Sequence, residues 1–165
     1  MAFLQILCVV LLVGVGLDTA SACQPRCHKC PPIWTFYKGS CYRLFATKKS
    51  QPDAEKHCRQ FSAVGQGHLA SIASAEENDI LLEMWDSVRG TTAGGLWIGF
   101  TDEAEEGNFI WNDGSAVSYT KWKDGQPNNA GDEHCTQMLQ ENNGEWSDFK
   151  CFKEYSYMCK MTATE

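Results

Sequence analysis

Oxygen-bearing side chains are concentrated in one segment of the chain and in an acid that follows it. Residues 125–135 read GQPNNAGDEHC, with amides, acids and a histidine but no large apolar side chain before Cys135, and Asp148 follows. A hard cation such as calcium takes about six to eight oxygen ligands from carboxylates, amides, backbone carbonyls and water. The segment 126–148 offers all of these ligand types. The pattern indicates either a cation site or a solvated loop, and composition alone does not decide between them.

The first 22 residues are predicted to be a secretory signal peptide. An almost continuous apolar run covers residues 4–17 and is followed by Ala20-Ser21-Ala22, small residues at the positions that a signal peptidase reads. The run is short for a membrane span, so a transmembrane anchor is the weaker alternative, as is a lipoprotein signal at Cys23. Cleavage after Ala22 predicts a secreted, extracellular protein without membrane insertion, whose residues 23–29 form a cysteine-containing leader.

The length and charge of the chain restrict its partners. It has 165 residues, of which 14 are Lys or Arg and 21 are Asp or Glu, with a formal net charge of −7. This length corresponds to one ordinary domain. An acidic chain without a basic run does not favour nucleic acid or an anionic membrane surface as a partner. The charge suits a protein that binds cations.

The cysteines predict disulfides. Of the nine cysteines, Cys8 lies in the predicted signal peptide, and the remaining even set in an exported chain is typical of a disulfide framework. The pairing cannot be obtained from the count. The pair Cys27 and Cys30 also has the spacing of half a zinc site or a redox motif, but no second ligand pair follows, so disulfides are the stronger interpretation. The remaining cysteines are Cys23, Cys27, Cys30, Cys41, Cys58, Cys135, Cys151 and Cys159.

Short strands and one helix are predicted in the first half of the domain. Aromatic and aliphatic residues on both sides of residues 39–40 predict a hairpin. A first helix is predicted over residues 50–63, with Ser50 as its N-cap and Pro52 in its first turn. A short strand over residues 69–72 follows.

A second helix and three further strands are predicted after residue 73. Ser74 and Glu77 have the spacing of a capping box. Buried strands are predicted over residues 96–100, 135–139 and 155–160, and a long segment rich in Gly, Asn, Asp and Trp follows the first of them. Loops of that length in a compact domain are usually functional or disordered. The apolar stripe of the second helix is formed by Ile80, Leu81, Met84, Trp85 and Val88.

A series of short motifs runs across residues 30–161. They are Cys30-Pro31, Trp34, Gly39-Ser40-Cys41-Tyr42, Ala54-Glu55-Lys56-His57-Cys58, His68-Leu69-Ala70-Ser71-Ile72, Trp97-Ile98-Gly99-Phe100, Glu106-Gly107-Asn108-Phe109, Trp111-Asn112-Asp113-Gly114, Trp122, Gln126-Pro127-Asn128, Glu133-His134-Cys135, Trp146-Ser147-Asp148, Cys151 and Tyr157-Met158-Cys159. Each motif alone is weak, but their order and intervals together resemble the C-type lectin-like domain. The sequences of these motifs are most similar to those of invertebrate secreted lectins such as echinoidin.

The resemblance implies an α+β fold in which two helices flank two small antiparallel sheets and a long loop region carries the ligand site. It also implies a set of disulfides and leaves Cys23 and Cys27 over in the leader. These two cysteines either pair with each other or bridge to another chain in a disulfide-linked homo-oligomer, which we favour because they have no place in the core of the domain. The implied disulfides are Cys30–Cys41, Cys58–Cys159 and Cys135–Cys151.

The resemblance further implies a calcium site in the long loop, with a cis peptide bond before Pro127. The same side chains, together with Ser147, would bind two neighbouring sugar hydroxyls, because oxygen lone pairs suit the cation while carboxylates and amides accept and donate hydrogen bonds. Trp122 and Trp146 are expected to pack beneath the loop rather than to stack on sugar. The implied calcium ligands are Gln126, Asn128, Glu133 and Asp148.

Three positions depart from the family pattern. Many mannose-binding members have Glu in place of Gln126, and many galactose-binding members combine Gln with Asp in place of Asn128, so this hybrid does not name the sugar. Ser147 replaces a customary Asn and is too short to reach both metal and sugar. Because only Glu133 and Asp148 then carry formal negative charge, we expect weaker calcium affinity than in a site with three carboxylates.

An auxiliary calcium site is a further implication of the resemblance. Asp102 and Glu106 match family ligands, and Asn129 and Asp132 are the further candidates. His134 stands where an acid is usual. Surface salt bridges are the favoured alternative role for Asp102 and Glu106.

Two functions are expected from these features. The first is a calcium-dependent lectin used for agglutination or microbial recognition in innate immunity, which Glu133, Asp148 and the Gln-Pro-Asn turn favour. The second is a protein of the extracellular matrix, a mineral-associated protein or a protein-binding relative that has lost sugar binding, which Ser147 and the acidic charge favour. An enzyme is not expected, because the chain has neither a Ser-His-Asp arrangement with a nucleophile elbow nor a zinc triad.

Overall fold

The computed structural model describes residues 30–62, 65–89 and 94–164. The predicted signal peptide, the leader 23–29 and its two cysteines lie outside these ranges. Within these ranges, none of the helices combines the length and the apolar composition needed to cross a membrane. The elements are β1 (Thr35–Tyr37), β2 (Ser40–Lys49), α1 (Gln51–Cys58), β3 (His68–Leu69), α2 (Ala75–Arg89), β4 (Gly95–Thr101), β5 (Ile110–Trp111), β6 (Cys135–Leu139), β7 (Glu145–Phe149) and β8 (Tyr155–Thr162).

The strands form one mixed sheet in the order β1-β2-β8-β4-β6-β7, with β3 paired to β8 and β5 paired to β4. Every pairing is antiparallel except that of β4 with β8, where Leu96 lies opposite Ser156 in parallel register. All seven residues of β4 are buried, as expected for a strand in the middle of a sheet. The predicted α+β class is confirmed. The resemblance implied two antiparallel sheets. In the structure they are two halves of one sheet, and the short parallel pairing of β4 with β8 joins them.

The first helix begins where it was predicted and ends earlier. The Ser50 hydroxyl oxygen accepts a hydrogen bond from the Asp53 N–H at 3.4 Å. The helix ends at Cys58 rather than near residue 63 because the chain turns back and the Gly67 N–H donates to the Phe61 carbonyl at 2.7 Å. Gly67 is required there, since a Cβ would lie only 2.7 Å from the Cys58 carbonyl oxygen. The strand that follows is also shorter than predicted and covers only β3.

The second helix follows its predicted cap but not its whole predicted stripe. The Glu77 N–H donates to the Ser74 hydroxyl oxygen at 3.2 Å, as in a capping box. Leu81 and Trp85 are buried, whereas Val88 is 59% exposed, so its predicted burial is wrong. The physical reason is that the last turn of α2 lies beside Ile33 at an open groove instead of against the core.

The three implied disulfides are confirmed, and they fasten the ends of the domain and the base of the long loop. They join Cys30 to Cys41, Cys58 to Cys159 and Cys135 to Cys151. An aromatic cluster fills the core beneath the loop, where Trp146 is fully buried and Trp122 is half-buried with its ring centroid 6.1 Å away. Both tryptophans pack under the loop, as expected.

A buried ion pair connects α2 to the sheet. The Lys160 ammonium lies 2.7 Å from the Glu77 carboxylate and also donates to the Ser71 carbonyl at 3.0 Å. The Tyr42 hydroxyl donates to the same Glu77 carboxylate, and burial together with this carboxylate raises the pKa of Tyr42. One carboxylate therefore satisfies groups from two strands.

We predict that Glu77→Gln lowers the free energy of unfolding by about 2 kcal/mol, because Lys160 then keeps its charge in a mostly buried position without a counterion. Urea unfolding measures the change. The matched control is Glu83→Gln, an exposed position on the same helix, which is expected to leave the unfolding midpoint unchanged. Equal midpoints for both variants would contradict the structural role of Glu77.

Candidate functional site

Asp148 on β7 holds the loop that contains Gln126 and Asn128. Its Oδ2 accepts hydrogen bonds from the backbone N–H groups of Asn128 at 2.9 Å and Asn129 at 2.6 Å. The side chain is only 1% exposed, yet its Oδ1 is buried without a hydrogen-bond partner. One oxygen of this carboxylate therefore positions the loop, and the other is free to bind a ligand.

Gln126 supplies a second buried oxygen without a partner. The peptide bond between Gln126 and Pro127 is cis, as the resemblance implied. Buried polar atoms almost always have a hydrogen-bond partner. Among the described residues, four buried side-chain oxygen or nitrogen atoms lack one, and Gln126 Oε1 and Asp148 Oδ1 are two of them. We call Gln126, Asn128, Glu133 and Asp148 the loop site.

Glu133 adds a second negative charge to the loop site. It is 7% exposed, and its N–H donates to the Asn129 side-chain oxygen at 2.8 Å. Burial and the nearby charge of Asp148 raise the pKa of Glu133, and the Ala130 N–H and Lys150 offset only part of this effect. The two carboxylates are thus close enough for the charge of Asp148 to disfavour the charged form of Glu133.

The amide of Asn128 completes the donor set. Its side-chain oxygen accepts a hydrogen bond from the Ala130 N–H at 2.8 Å and retains a second lone pair. The set contains only oxygens, two of them on carboxylates and two of them without partners. Such a set fits calcium, a hard cation that takes oxygen ligands, better than zinc, whose protein sites usually include His nitrogen or Cys sulfur.

Ser147 lies on β7 next to Asp148 but is directed at the backbone. It is 7% exposed, and its hydroxyl donates to the Asp148 carbonyl at 2.9 Å. Its predicted contact with sugar stays a prediction, and only the lone pairs of the hydroxyl remain for such a contact.

A second group of acids surrounds His134. The His134 Nδ1 lies 3.1 Å from an Asp102 oxygen and 3.3 Å from a Glu106 oxygen, and its Nε2 lies 2.9 Å from an Asp132 oxygen. Burial lowers the pKa of His134, but its hydrogen bonds with Asp132 and Asp102 outweigh this, so the pKa lies above its ordinary value. The ion pairs expected for Asp102 and Glu106 are therefore formed with His134, although Asp102 is buried and not at the surface. The auxiliary metal site stays a prediction.

Asn129 has a role that sequence reasoning missed. The Asn129 N–H donates a hydrogen bond to the Asp148 carboxylate, and its side-chain oxygen accepts one from the Glu133 N–H. Asn129 therefore connects two residues of the loop site. Its φ of 46° lies in the left-handed region, which asparagine tolerates better than most residues. The sequence signal for this role is an Asn directly after the Gln126-Pro127-Asn128 turn. Its proposed part in an auxiliary calcium site is untested.

A disulfide-stapled α+β domain whose long loop gathers oxygen-bearing side chains is typical of the class of C-type lectin domains. The family model described as the Lectin C-type domain matches residues 47–161, and the chain belongs to this family. The chain is 57% identical over 171 residues to the alpha-N-acetylgalactosamine-specific lectin of Patiria pectinifera, with 99% of each chain covered.

Two further proteins are similar to this chain. Echinoidin of Heliocidaris crassispina is 35% identical over 145 residues, which cover 82% of this chain and 99% of echinoidin. The crystal structure of the C-type lectin CEL-I from Cucumaria echinata has a TM-score of 0.78 at 36% identity, over 82% of this chain and 99% of CEL-I. The resemblance inferred from the motifs is confirmed. Membership of this lectin family also confirms that the chain is not an enzyme.

We predict that Glu133→Gln stabilises the calcium-free protein near neutral pH. Because the folded pKa of Glu133 is raised, the folded state holds the proton more tightly, and stability is lost as pH rises above the unfolded pKa of about 4.3. A neutral amide removes this loss. Urea unfolding with a chelator, at about pH 4.5 and about pH 7, measures the free energy of unfolding.

Glu141→Gln is the control, because Glu141 is exposed. The control should follow the wild-type pH dependence. A Glu133→Gln protein that is less stable than wild type at neutral pH without calcium would show that the charge of Glu133 serves the fold.

Proposed function

We propose that this protein is a secreted, calcium-dependent lectin that binds neighbouring hydroxyls of a galactose-type sugar, such as N-acetylgalactosamine, at the loop site. The observation that carries the proposal is the pair of buried, unpartnered oxygens on Gln126 and Asp148 beside the buried carboxylate of Glu133. A cation that binds these oxygens removes both the unsatisfied atoms and the charge repulsion.

Each residue of the loop site has a separate part in the proposal. Glu133 and Asp148 supply the negative charge for calcium, and Gln126 and Asn128 supply amide oxygens. A bound calcium ion supplies coordination positions for two sugar hydroxyls. The amide NH₂ groups donate to sugar oxygens, and the carboxylates accept the hydroxyl protons. The same side chains thereby bind metal and sugar.

The choice of sugar class rests on two observations. Gln126 stands where galactose-binding members of the family have Gln, although Asn128 follows the mannose-binding pattern. The lectin of Patiria pectinifera, named as specific for alpha-N-acetylgalactosamine, is 57% identical over almost the whole chain. The proposed class is therefore galactose-type, with Asn128 as the position that departs from it.

Secretion and assembly belong to the same proposal. Cleavage after Ala22 would release a chain whose Cys23 and Cys27 are outside the three disulfides of the domain. A disulfide-linked homo-oligomer would present several weak sugar sites together and raise avidity for agglutination or for a microbial surface. Gel electrophoresis with and without reductant tests this assembly.

A second candidate function is a matrix, mineral-associated or protein-binding role without sugar binding. It is supported by Ser147, whose short side chain is buried and hydrogen-bonded to the backbone. This candidate predicts no retention on any sugar resin, whereas the lectin proposal predicts retention that a chelator reverses.

We predict that Asp148→Asn weakens calcium binding at least about tenfold and abolishes retention on an N-acetylgalactosamine resin, because the site loses one of its two charges. Asn keeps an oxygen for the Asn128 and Asn129 N–H groups, so the fold should persist, as checked by circular dichroism. Calorimetric titration with calcium measures the affinity. The control, Asp124→Asn, makes the same change at an exposed position in the same loop. Unchanged calcium affinity in Asp148→Asn would reject the proposal.

We predict that free N-acetylgalactosamine displaces the protein from this resin at a concentration about tenfold lower than mannose does. Gln126→Glu should reduce this preference, because it removes an amide donor and adds a third carboxylate, and it should tighten calcium binding. Gln60→Glu, an exposed change on another part of the domain, is the control. A preference for mannose in the wild-type protein would contradict the assigned sugar class.

A further inference from the structure

Thr136 on β6 has a buried hydroxyl that makes no hydrogen bond. Its Oγ1, like Gln126 Oε1 and Asp148 Oδ1, is one of the four buried side-chain atoms without a partner among the described residues. The whole residue is fully buried, so the hydroxyl is not hydrogen-bonded to bulk water either. A hydroxyl has one proton to donate and two lone pairs, and leaving all of them unused in the interior of a domain is costly.

The register of the sheet places Thr136 beside Asp148. In the antiparallel pairing of β6 with β7, Thr136 lies directly opposite Asp148, and the pairing runs without a shift from Cys135 to Leu139. Residues opposite each other in such a pair project from the same face of the sheet, with their Cβ atoms about 4.5–5.5 Å apart. Two of the four unpartnered atoms therefore belong to neighbouring side chains.

The next pair of residues along this face is apolar. It consists of Met138 and Trp146, both fully buried in the aromatic core beneath the loop. Valine would fill the same space as Thr136 with a methyl group in place of the hydroxyl, and valine is equally at home in strands. Without calcium, the hydroxyl therefore gives the fold nothing that valine would not.

The Asp148 carboxylate is held through only one of its oxygens. Oδ2 accepts the two loop N–H groups, whereas Oδ1 has no donor. A carboxylate oxygen has lone pairs for a cation and for one hydroxyl donor at the same time. Groups that donate to a metal-binding carboxylate fix its orientation and help to set the affinity for the metal. Thr136 is a neighbour of Asp148 with an unused donor of this kind.

We infer that Thr136 is a positioning residue of the loop site, whose hydroxyl donates a hydrogen bond to Asp148 Oδ1 when that oxygen binds calcium. The inference rests on the proposed calcium site and adds to it a residue that does not contact the ion. In the structure the two atoms are unpaired neighbours. A bound cation offsets the repulsion between the charges of Glu133 and Asp148, so the Asp148 carboxylate can turn to meet the hydroxyl.

Thr136→Val tests the inference through two measurements of opposite sign. With a chelator present, the variant should unfold at a higher urea concentration than the wild type, because it removes a buried hydroxyl without a partner. Its calcium affinity, measured by calorimetric titration, should be weaker by about tenfold, the lower end of the effect expected when a group that positions a metal ligand is lost.

Thr136→Ser should reverse both signs. It keeps the hydroxyl and should keep the calcium affinity of the wild type, but it removes a methyl group from a closely packed core and should lower the unfolding midpoint. The more stable variant is thus expected to bind calcium more weakly, and the less stable variant to bind it normally. An effect of stability alone would weaken calcium binding in the less stable variant, so this crossed pattern identifies a positioning role.

Thr101→Val is the matched control for stability. The Thr101 hydroxyl is also buried, but it donates to the His134 carbonyl at 2.7 Å and accepts from the Glu103 N–H at 3.2 Å. The same substitution should therefore lower the unfolding midpoint at this position. Thr120→Val, at an exposed position outside the loop site, should change neither the midpoint nor the calcium affinity.

Calcium binding in Thr136→Val equal to that of the wild type would overturn the inference. A lower unfolding midpoint of this variant without calcium, or its failure to fold, would also overturn it, because the hydroxyl would then serve the fold. So would a Thr136→Ser protein that binds calcium as weakly as Thr136→Val. A wild-type protein that binds no calcium would reject the lectin proposal together with this inference, whereas a failure confined to the Thr136 variants rejects the inference alone.

Discussion

A single buried carboxylate links the long loop to the sheet, and the geometry of the loop site depends on it. Oδ2 of Asp148 receives two backbone N–H groups from the turn after Pro127. Oδ1 of Asp148 is buried without a partner. The burial of Glu133 itself and the charge of Asp148 together raise the pKa of Glu133. The interaction that shapes the loop therefore also concentrates negative charge in it. The raised pKa of Glu133 lowers the free energy of unfolding of the calcium-free protein at neutral pH, and a bound cation can restore it.

The rest of the domain keeps this carboxylate in place. The disulfide between Cys135 and Cys151 joins the start of β6 to the residues after β7. Trp146 on β7 is fully buried, and its indole N–H donates to the Asn78 side-chain oxygen at 2.8 Å. Dense aromatic packing under the loop favours one arrangement of its side chains, which would lower the ordering cost of ligand binding at the proposed site. The fold and the site are coupled through β7.

Much of the local structure could be predicted from sequence. Helix caps leave a mark at fixed spacing, as the Ser74 cap of α2 illustrates. The disulfide pairs and the cis peptide bond before Pro127 were implied by the family resemblance, and the ligand roles of the loop site stay a prediction. What could not be predicted depends on distant contacts. The exposure of Val88 depends on where the last turn of α2 lies relative to Ile33. The end of α1 depends on the turn of the chain back at Gly67. The parallel pairing of β4 with β8 likewise joins segments that no local pattern relates.

In the proposed lectin, calcium and sugar share the side chains of the loop site, so each must change the affinity of the other by the same factor. The direct test is a calorimetric calcium titration with and without saturating N-acetylgalactosamine. We expect the sugar to tighten calcium binding and calcium to tighten sugar binding by an equal factor. Calcium affinity that is identical with and without the sugar, while the sugar still binds, would contradict it.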